Sequence, residues 1–274
     1  MKHINISLYA SEGPLCKTGK KWDLRGSRGG AGGFGGRVMR KVGIAVLAAL
    51  CLSACSTPNR NALDNNDPYE AANRSVFELN QTIDSLTLRP TTERYNNYVP
   101  EGVRDGIHNA LENLALPVTF ANDLMQAEPK RAGQTLGRFM MNSSFGIAGL
   151  FDVASRAGIP EHKEDFSQTL AVWGVGEGPY LMLPFLGPSS PRDMVGMGAD
   201  FALDPTLYIR IKQHIWWIAG REYVTILDRR ARNLETLDDI ERDSLDFYAT
   251  SRSLYRQYRA KEIRNGSPRP ENPN

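Results

Sequence analysis

The chain has 274 residues, 41% of them hydrophobic and 23% charged, which supplies a sizeable core and excludes global disorder. Three cysteines and four scattered histidines exclude a disulfide scaffold and a histidine-rich metal site. The net charge of +2 hides an asymmetry: residues 1–54 hold nine Lys/Arg and two Asp/Glu, leaving 24 basic against 29 acidic residues, or −5, in 55–274. An acidic body lacks the basic face that nucleic acid requires.

Met39-Arg40-Lys41 precedes a thirteen-residue run from Val42 to Ala54, apolar except for Ser53, that ends at Cys55. Cations followed by such a run match a secretory signal, and the run is short of the ~20 residues of a bilayer span. Leu52-Ser53-Ala54-Cys55 reads as a lipobox. Residues 39–54 are therefore expected to be a cleaved signal peptide and Cys55 a lipidated first residue; the plain alternative is a buried cysteine after an apolar helix. Each buried CH₂ of an acyl anchor contributes about 0.8 kcal/mol. Ser56, rather than Asp, follows the cysteine and favours sorting to an outer membrane. Residues 1–38, rich in glycine and basic residues, are expected to be either an upstream stretch ahead of a true start at Met39 or a disordered extension.

Residues 55–66 read as a polar tether. Asp67-Pro68-Tyr69-Glu70 has the pattern of a capping box. The helix after it carries Val76, Leu79, Ile83 and Leu86 at helical spacing and is expected to end at Arg89-Pro90. A short helix over 91–98 comes next. Another opens at Pro100, with Val103, Ile107, Ala110, Leu111 and Leu114 on one side, and Pro117 is expected to break it. Pro129 starts a segment with Leu136, Phe139, Met140 and Ile147. Between Phe139 and Ala157 the only charges are Asp152 and Arg156, so this run suits a core helix or a helix lying among acyl chains.

Residues 158–191 are turn-rich, with Gly and Pro spread through them and no strand alternation. Such a segment either packs tightly on helices or lines a passage of mixed polarity. Helix resumes over 192–203. A long helix is expected from Pro205 to about Leu234, its Trp216-Trp217 pair fitting either a membrane interface or a core. A final amphipathic helix covers roughly 237–262, and 263–274 reads as a disordered tail. The fold class is all-α: one helical domain over 67–262 with a Gly/Pro-rich loop insert and no sheet.

No catalytic constellation emerges. There is no G-x-S-x-G elbow and no phosphate-binding glycine loop, and His108, His162 and His214 lack metal-ligand spacing. The expectation is no cofactor, no metal and no catalytic residue. Glu161, Glu164 and Asp165 lie near Glu177 in sequence and read as caps or solvated acids more readily than as an acid/base pair.

Three stretches carry a resemblance: DPYEAANRSVFELNQTIDSLTLRP (67–90), RFMMNSSFGIAGLFDVAS (138–155) and EDFSQTLAVWGVGEGPYLMLPFLGPSSPRD (164–193). Over roughly Asp67 to Pro205 the chain resembles the MlaA/VacJ family of outer-membrane lipoproteins. Ser167 departs from the pattern, where glycine is expected. The resemblance implies a ring-like, membrane-embedded helical domain in the periplasmic-side leaflet of the outer membrane. Such proteins work with a trimeric porin, take mislocalised phospholipids from the outer leaflet and pass them to a periplasmic carrier, MlaC, without covalent catalysis. In that frame Trp173, Gly174, Gly176, Gly178, Pro179, Tyr180, Leu183 and Phe185 are expected to shape a lipid passage or its gate. Phe139, Met140, Phe145, Ile147, Leu150 and Phe151 are expected to face the membrane. Arg89, Arg138 and Arg192 are expected to pair with Asp84, Asp165 or Asp193 and lock helices together, the alternative being contact with phosphates. The rival readings are a structural or adaptor lipoprotein and an envelope hydrolase.

Overall fold

The computed structural model describes residues 65–208 and 214–265, and among them helices dominate. Cys55, the signal over 39–54, the 1–38 segment, most of the tether and nearly all of the tail lie outside the described residues.

The expected capping box is not what starts α1 (Glu70–Ile83): its N-cap is Tyr69, with no side-chain cap. Asp67 instead turns inward and is wholly buried. Its carboxylate accepts from Asn73 Nδ2 at 2.8 Å, the Tyr248 hydroxyl at 2.5 Å and Arg252 Nη1 at 2.6 Å. A buried carboxylate persists only with donors of this kind, one of them a cation.

Nor does the first helix end at Arg89-Pro90. It passes through a π-helical stretch, Asp84–Leu88, into α2 (Arg89–Tyr98), with Pro90 in the first turn, where its missing N–H leaves no bond unmade. α3 (Glu101–Met125) runs unbroken through Pro117. An internal proline disfavours helix by about 3 kcal/mol. That is outweighed by packing, since α3 lies against α4 (Pro129–Ser144) and also meets α6 (Phe166–Val172), α7 (Pro191–Leu203) and α8 (His214–Arg232). Between α4 and α6 a one-turn α5 (Val153–Arg156) is capped by Asp152, which accepts from Ser155 N.

The expectation of no sheet is corrected. Leu181–Leu183 (β1) and Gly187–Ser189 (β2) form an antiparallel pair, in register Leu181↔Ser189, Met182↔Pro188 and Leu183↔Gly187. So short a hairpin is not self-sufficient, and α1 supports it. Asn73 donates to the Tyr180 carbonyl at 3.1 Å and accepts from Met182 N at 2.9 Å. Two turns on, Asn80 donates to the Leu183 carbonyl and accepts from Phe185 N, each at 2.9 Å. A primary amide offers the same donor and acceptor as a peptide group, so one face of α1 stands in for a neighbouring strand. Within the stretch expected to be loop, α6 forms because FSQTLAV has neither Gly nor Pro and Asp165 caps it, accepting from Gln168 N at 2.8 Å.

The expected long helix from Pro205 divides into a 3₁₀ turn (Pro205–Tyr208) and α8, with 209–213 outside the described residues. The expected last helix is two, α9 (Leu234–Asp243) and α10 (Phe247–Ile263), the second capped by Asp246. α10 closes the core: Tyr180, Met182 and Tyr248 are buried together, with Val76, Phe77 and Tyr255 packed around them. Tyr180 meets Tyr248 and Tyr255 edge-on, at centroid distances of 6.1 and 5.9 Å.

Candidate functional site

Polarity in this domain is inverted. Asn122, Asp123, Thr135, Arg138, Asn142, Thr169 and Asp193 are buried, while large apolar side chains lie outside. Of the residues expected to face a membrane, Phe145 is 76%, Ile147 63% and Met140 61% exposed; Leu150 and Phe151 are exposed too, and Phe139 is half-buried. They follow from the tight turns after α4, in which Ile147 and Ala148 adopt φ of 52° and 55°. Arg138 pins those turns from within. It donates to the Ser155 hydroxyl at 3.0 Å, the Ile159 carbonyl at 2.7 Å and Asp152 at 3.0 Å. Burial alone raises the Asp152 pKa, but hydrogen bonds from Ser155, Asn142 and Arg138 bring it down to about 2.

Apolar exposure continues elsewhere. Val172, Trp173, Val175, Phe185 and Leu186 stand out from the loop and hairpin, Met194, Val195 and Phe201 from α7, and Ile215, Trp216 and Trp217 from α8. The exposure of both tryptophans removes the core-packing alternative for that pair. In water such a surface is unfavourable; against acyl chains or a protein partner it is not.

The residues expected to shape a passage differ in their exposure. Trp173 is exposed, packs edge-on against Phe166 at 5.8 Å and donates from Nε1 to the Met125 carbonyl at 3.1 Å. Gly174 and Gly178 have φ of 87° and 77°, a backbone that side chains resist, and a Cβ on Gly178 meets the Pro191 ring at 3.1 Å. Gly176 has open space around it and no such φ. Phe185 is exposed, Pro179 and Leu183 are half-buried, and Tyr180 is wholly buried. Tyr180 is thus corrected from passage lining to core. The exposed strip runs from Trp173 to Gly178 and resumes at Phe185. It is moored by Arg192, whose Nη1 donates to the Val175 carbonyl at 3.3 Å, and by Asn66, whose side chain donates to the Gly178 carbonyl at 2.7 Å.

Arg89 and Arg138 pair with acids other than those expected, while Arg192 lies beside Asp193 as expected. Arg89 pairs with Asp238 at 2.8 Å, and Asp84 with Arg230 at 3.0 Å. Arg138 pairs with Asp152, as above, and Asp165 with Arg259 at 2.7 Å. Asp193 is held by Arg259 at 3.2 Å and by the Ser167 and Tyr255 hydroxyls, with its neighbour Arg192 at 3.8 Å. Burial would raise the Asp165 pKa, but the Arg259 guanidinium keeps it below the ordinary carboxylate range. Ser167, the departure from the family pattern, fits because Gly196 faces it: a Cβ there would lie 2.6 Å from the Ser167 Cβ and backbone nitrogen.

Asp123, Glu164 and Asp200 join a largely buried network, while Glu161 is exposed. Asp123 accepts from Thr135 at 2.6 Å and faces His162 Nε2 at 3.1 Å. Glu164 takes Gln126 and Arg131, and burial raises its pKa. Asn122 bridges Thr169 and Asp200, at 2.8 and 2.9 Å, and burial raises Asp200 to about 6. Every one of these groups holds two elements together. Among the described residues no group of three or more His, Cys, Asp or Glu is arranged to hold a metal, and no helix is long and apolar enough to cross a membrane.

Sequence reasoning missed Asp67, Asn73, Asn80 and Arg259. For the asparagines one signal existed: polar residues seven apart share a helix face with Val76, Phe77 and Ile83 nearby in α1. For Asp67 and Arg259 none did, since their partners lie 185 and 94 residues away.

The profile of the MlaA lipoprotein family matches residues 65–262. The chain is similar to the intermembrane phospholipid transport system lipoprotein MlaA of Haemophilus influenzae, with 32% identity covering 81% of this chain and 90% of that one. The Escherichia coli protein of the same name is 30% identical over 83% of this chain and 91% of its own length. A solved structure, reported as the structural basis for maintenance of bacterial outer membrane lipid asymmetry, superposes with a TM-score of 0.62. It is 32% identical and covers 71% of this chain and 97% of that one. With the helical domain matched along nearly its whole length, the chain belongs to the MlaA lipoprotein family.

Proposed function

We propose that this protein is a lipoprotein of the outer membrane, held by acylated Cys55 on the periplasmic side, that removes mislocalised phospholipids from the outer leaflet and so maintains lipid asymmetry. The inverted polarity carries this reading. A domain with Phe145, Ile147, Trp216 and Phe185 outside and Asn122, Asp123, Arg138 and Thr169 inside is adapted to acyl chains around it and polar groups within it. The family's named relatives act in intermembrane phospholipid transport, which agrees.

Its helices form a ring in one leaflet, with the Trp173–Gly178 strip and the Phe185 hairpin tip at the mouth of a lipid passage. A trimeric porin shields part of the apolar exterior, and a periplasmic carrier of the MlaC kind receives the lipid. The protein works as a conduit, not as an enzyme. Its buried acids are engaged in structural hydrogen bonds, and the direction of transport comes from capture downstream.

The test compares outer-leaflet phospholipid in cells with and without the gene, by labelling intact cells with a reagent that does not cross the membrane. Loss of the gene raises the surface-labelled fraction, and Cys55→Ala does the same while releasing the protein from the membrane fraction. An unchanged surface fraction in the deletion strain refutes the reading.

A further inference from the structure

A polar cleft of about 500 Å³ opens where the end of α2, the first turn of α3, the last turn of α8 and the first turn of α9 converge. Its charges fall into two groups. Arg232 pairs with Asp105 at 2.9 Å and Asp228 at 3.3 Å, and Asp228 also takes His108 Nδ1 at 2.7 Å. These charges neutralise one another.

The second group is not neutralised. Among the described residues, Arg104 bonds through Nη1 only to the Asn96 side-chain oxygen, and its buried Nε has no acceptor. Asn96 is itself fixed, donating to the Ala231 carbonyl at 3.2 Å, so the guanidinium is held in place by a neutral group. The Tyr95 hydroxyl, of a residue on the same lining, is buried without a partner among the described residues. Leaving such groups unmet is unfavourable. Glu101 and Glu235 stand exposed on the lining and enter no ion pair among the described residues. Glu101 lies one helical turn before Arg104, where side chains are neighbours, yet the two remain unpaired.

A cation held by a neutral group, on one lining with exposed, unpaired carboxylates, complements a ligand carrying both charges a few bonds apart. We propose that the cleft binds a phosphoethanolamine-type zwitterion, its phosphodiester on the Arg104 guanidinium and its ammonium at Glu101 and Glu235. A phosphoglycerol group would satisfy Arg104 but leave both carboxylates unmatched, so the site discriminates by the amine. The same chemistry occurs in a lipid headgroup and in a free glycerophosphodiester. Assignment to the lipid rests on the transport reading above; the binding chemistry does not.

The test titrates the purified full chain in detergent with glycerophosphoethanolamine and glycerophosphoglycerol by calorimetry. In parallel, the protein is reisolated from phosphatidylethanolamine and from phosphatidylglycerol vesicles and its bound lipid counted. The ethanolamine diester is expected to bind at least about tenfold more tightly. Arg104→Gln weakens both diesters about tenfold, and Arg104→Lys, which keeps the charge, recovers part of the loss. The Glu101→Gln/Glu235→Gln double variant abolishes the preference, with glycerophosphoglycerol bound no more weakly than by the parent. Retention of the same selectivity on the vesicle arm identifies the occupant as the lipid; selectivity with the soluble diesters alone identifies it as a free diester. No preference in the parent protein, or one that survives the double variant, overturns the proposal. A selective cleft in a protein whose deletion leaves the outer leaflet unchanged would remove the transport reading and keep this one.

Discussion

Replacing Asn73 with Leu tests whether α1 acts as the hairpin's missing neighbour. The side chain is 4% exposed and makes three hydrogen bonds, to Asp67, the Tyr180 carbonyl and Met182 N. Leucine has a similar volume and removes all three, leaving one buried amide, one buried carbonyl and a carboxylate short of one donor. At about 1–3 kcal/mol per unmet group, with the carboxylate at the upper end, the loss comes to roughly 5–9 kcal/mol. That is a large part of the about 5–15 kcal/mol that stabilises a typical domain. Asn80, half-exposed at the hairpin tip, makes two bonds that water can replace, so Asn80→Leu should cost no more than about 1 kcal/mol. Urea unfolding in detergent measures both, and hydrogen exchange at the Met182 amide reports the local opening. A loss below about 1 kcal/mol for Asn73→Leu, with Met182 still protected, would show that the hairpin stands without α1 and refute the reasoning.

Gly196→Ala forces a Cβ to within 2.6 Å of the Ser167 backbone nitrogen and should cost about 1–3 kcal/mol by parting α6 from α7. Adding Ser167→Gly should return part of that loss, and a double-mutant cycle that is strictly additive would contradict the contact. Asp200 gives a pH signature. Burial raises its folded pKa to about 6, above the unfolded value of 3.8, so the native state binds the proton more tightly. Its contribution is therefore most favourable in acid and declines as pH rises from about 4 to about 6, by an upper bound of about 3 kcal/mol. Asp200→Asn should flatten thermal stability across that window; an unchanged pH profile would show that Asp200 is ionised throughout it.

Helix existence was legible because each apolar stripe could be read within one helix. The reading failed wherever a partner far along the chain decides the outcome. Pro117 carries a local signal for breaking a helix, and only the packing of α3 on α4 overrides it. The hairpin was hidden because its pattern is completed by Asn73 and Asn80, side chains that read as polar positions on a helix. Asp67 looked like a cap because its chain neighbours suit one, although its donors come from Tyr248 and Arg252. The acidic partners of Arg89 and Arg138 were misassigned for the same reason, since spacing says nothing about which helices meet. For the site, the apolar character of the 139–157 run was legible, but whether its side chains would be buried or exposed was not, because apolarity alone suits a core as well as an acyl environment. Tyr180 could not be told from Trp173 by residue type alone; only the core beneath the hairpin separates them.

The clasp at Asp67 has a mechanical consequence. A pull on the chain ahead of residue 65 reaches this carboxylate before it reaches the first turn of α1. There it is met by donors from α1 and from α10, nearly two hundred residues later. The load spreads across both ends of the domain, and unravelling requires several bonds to shear at once instead of peeling one by one. A body leashed to a drifting bilayer can thus be towed sideways without its helices being unwound from the leash end.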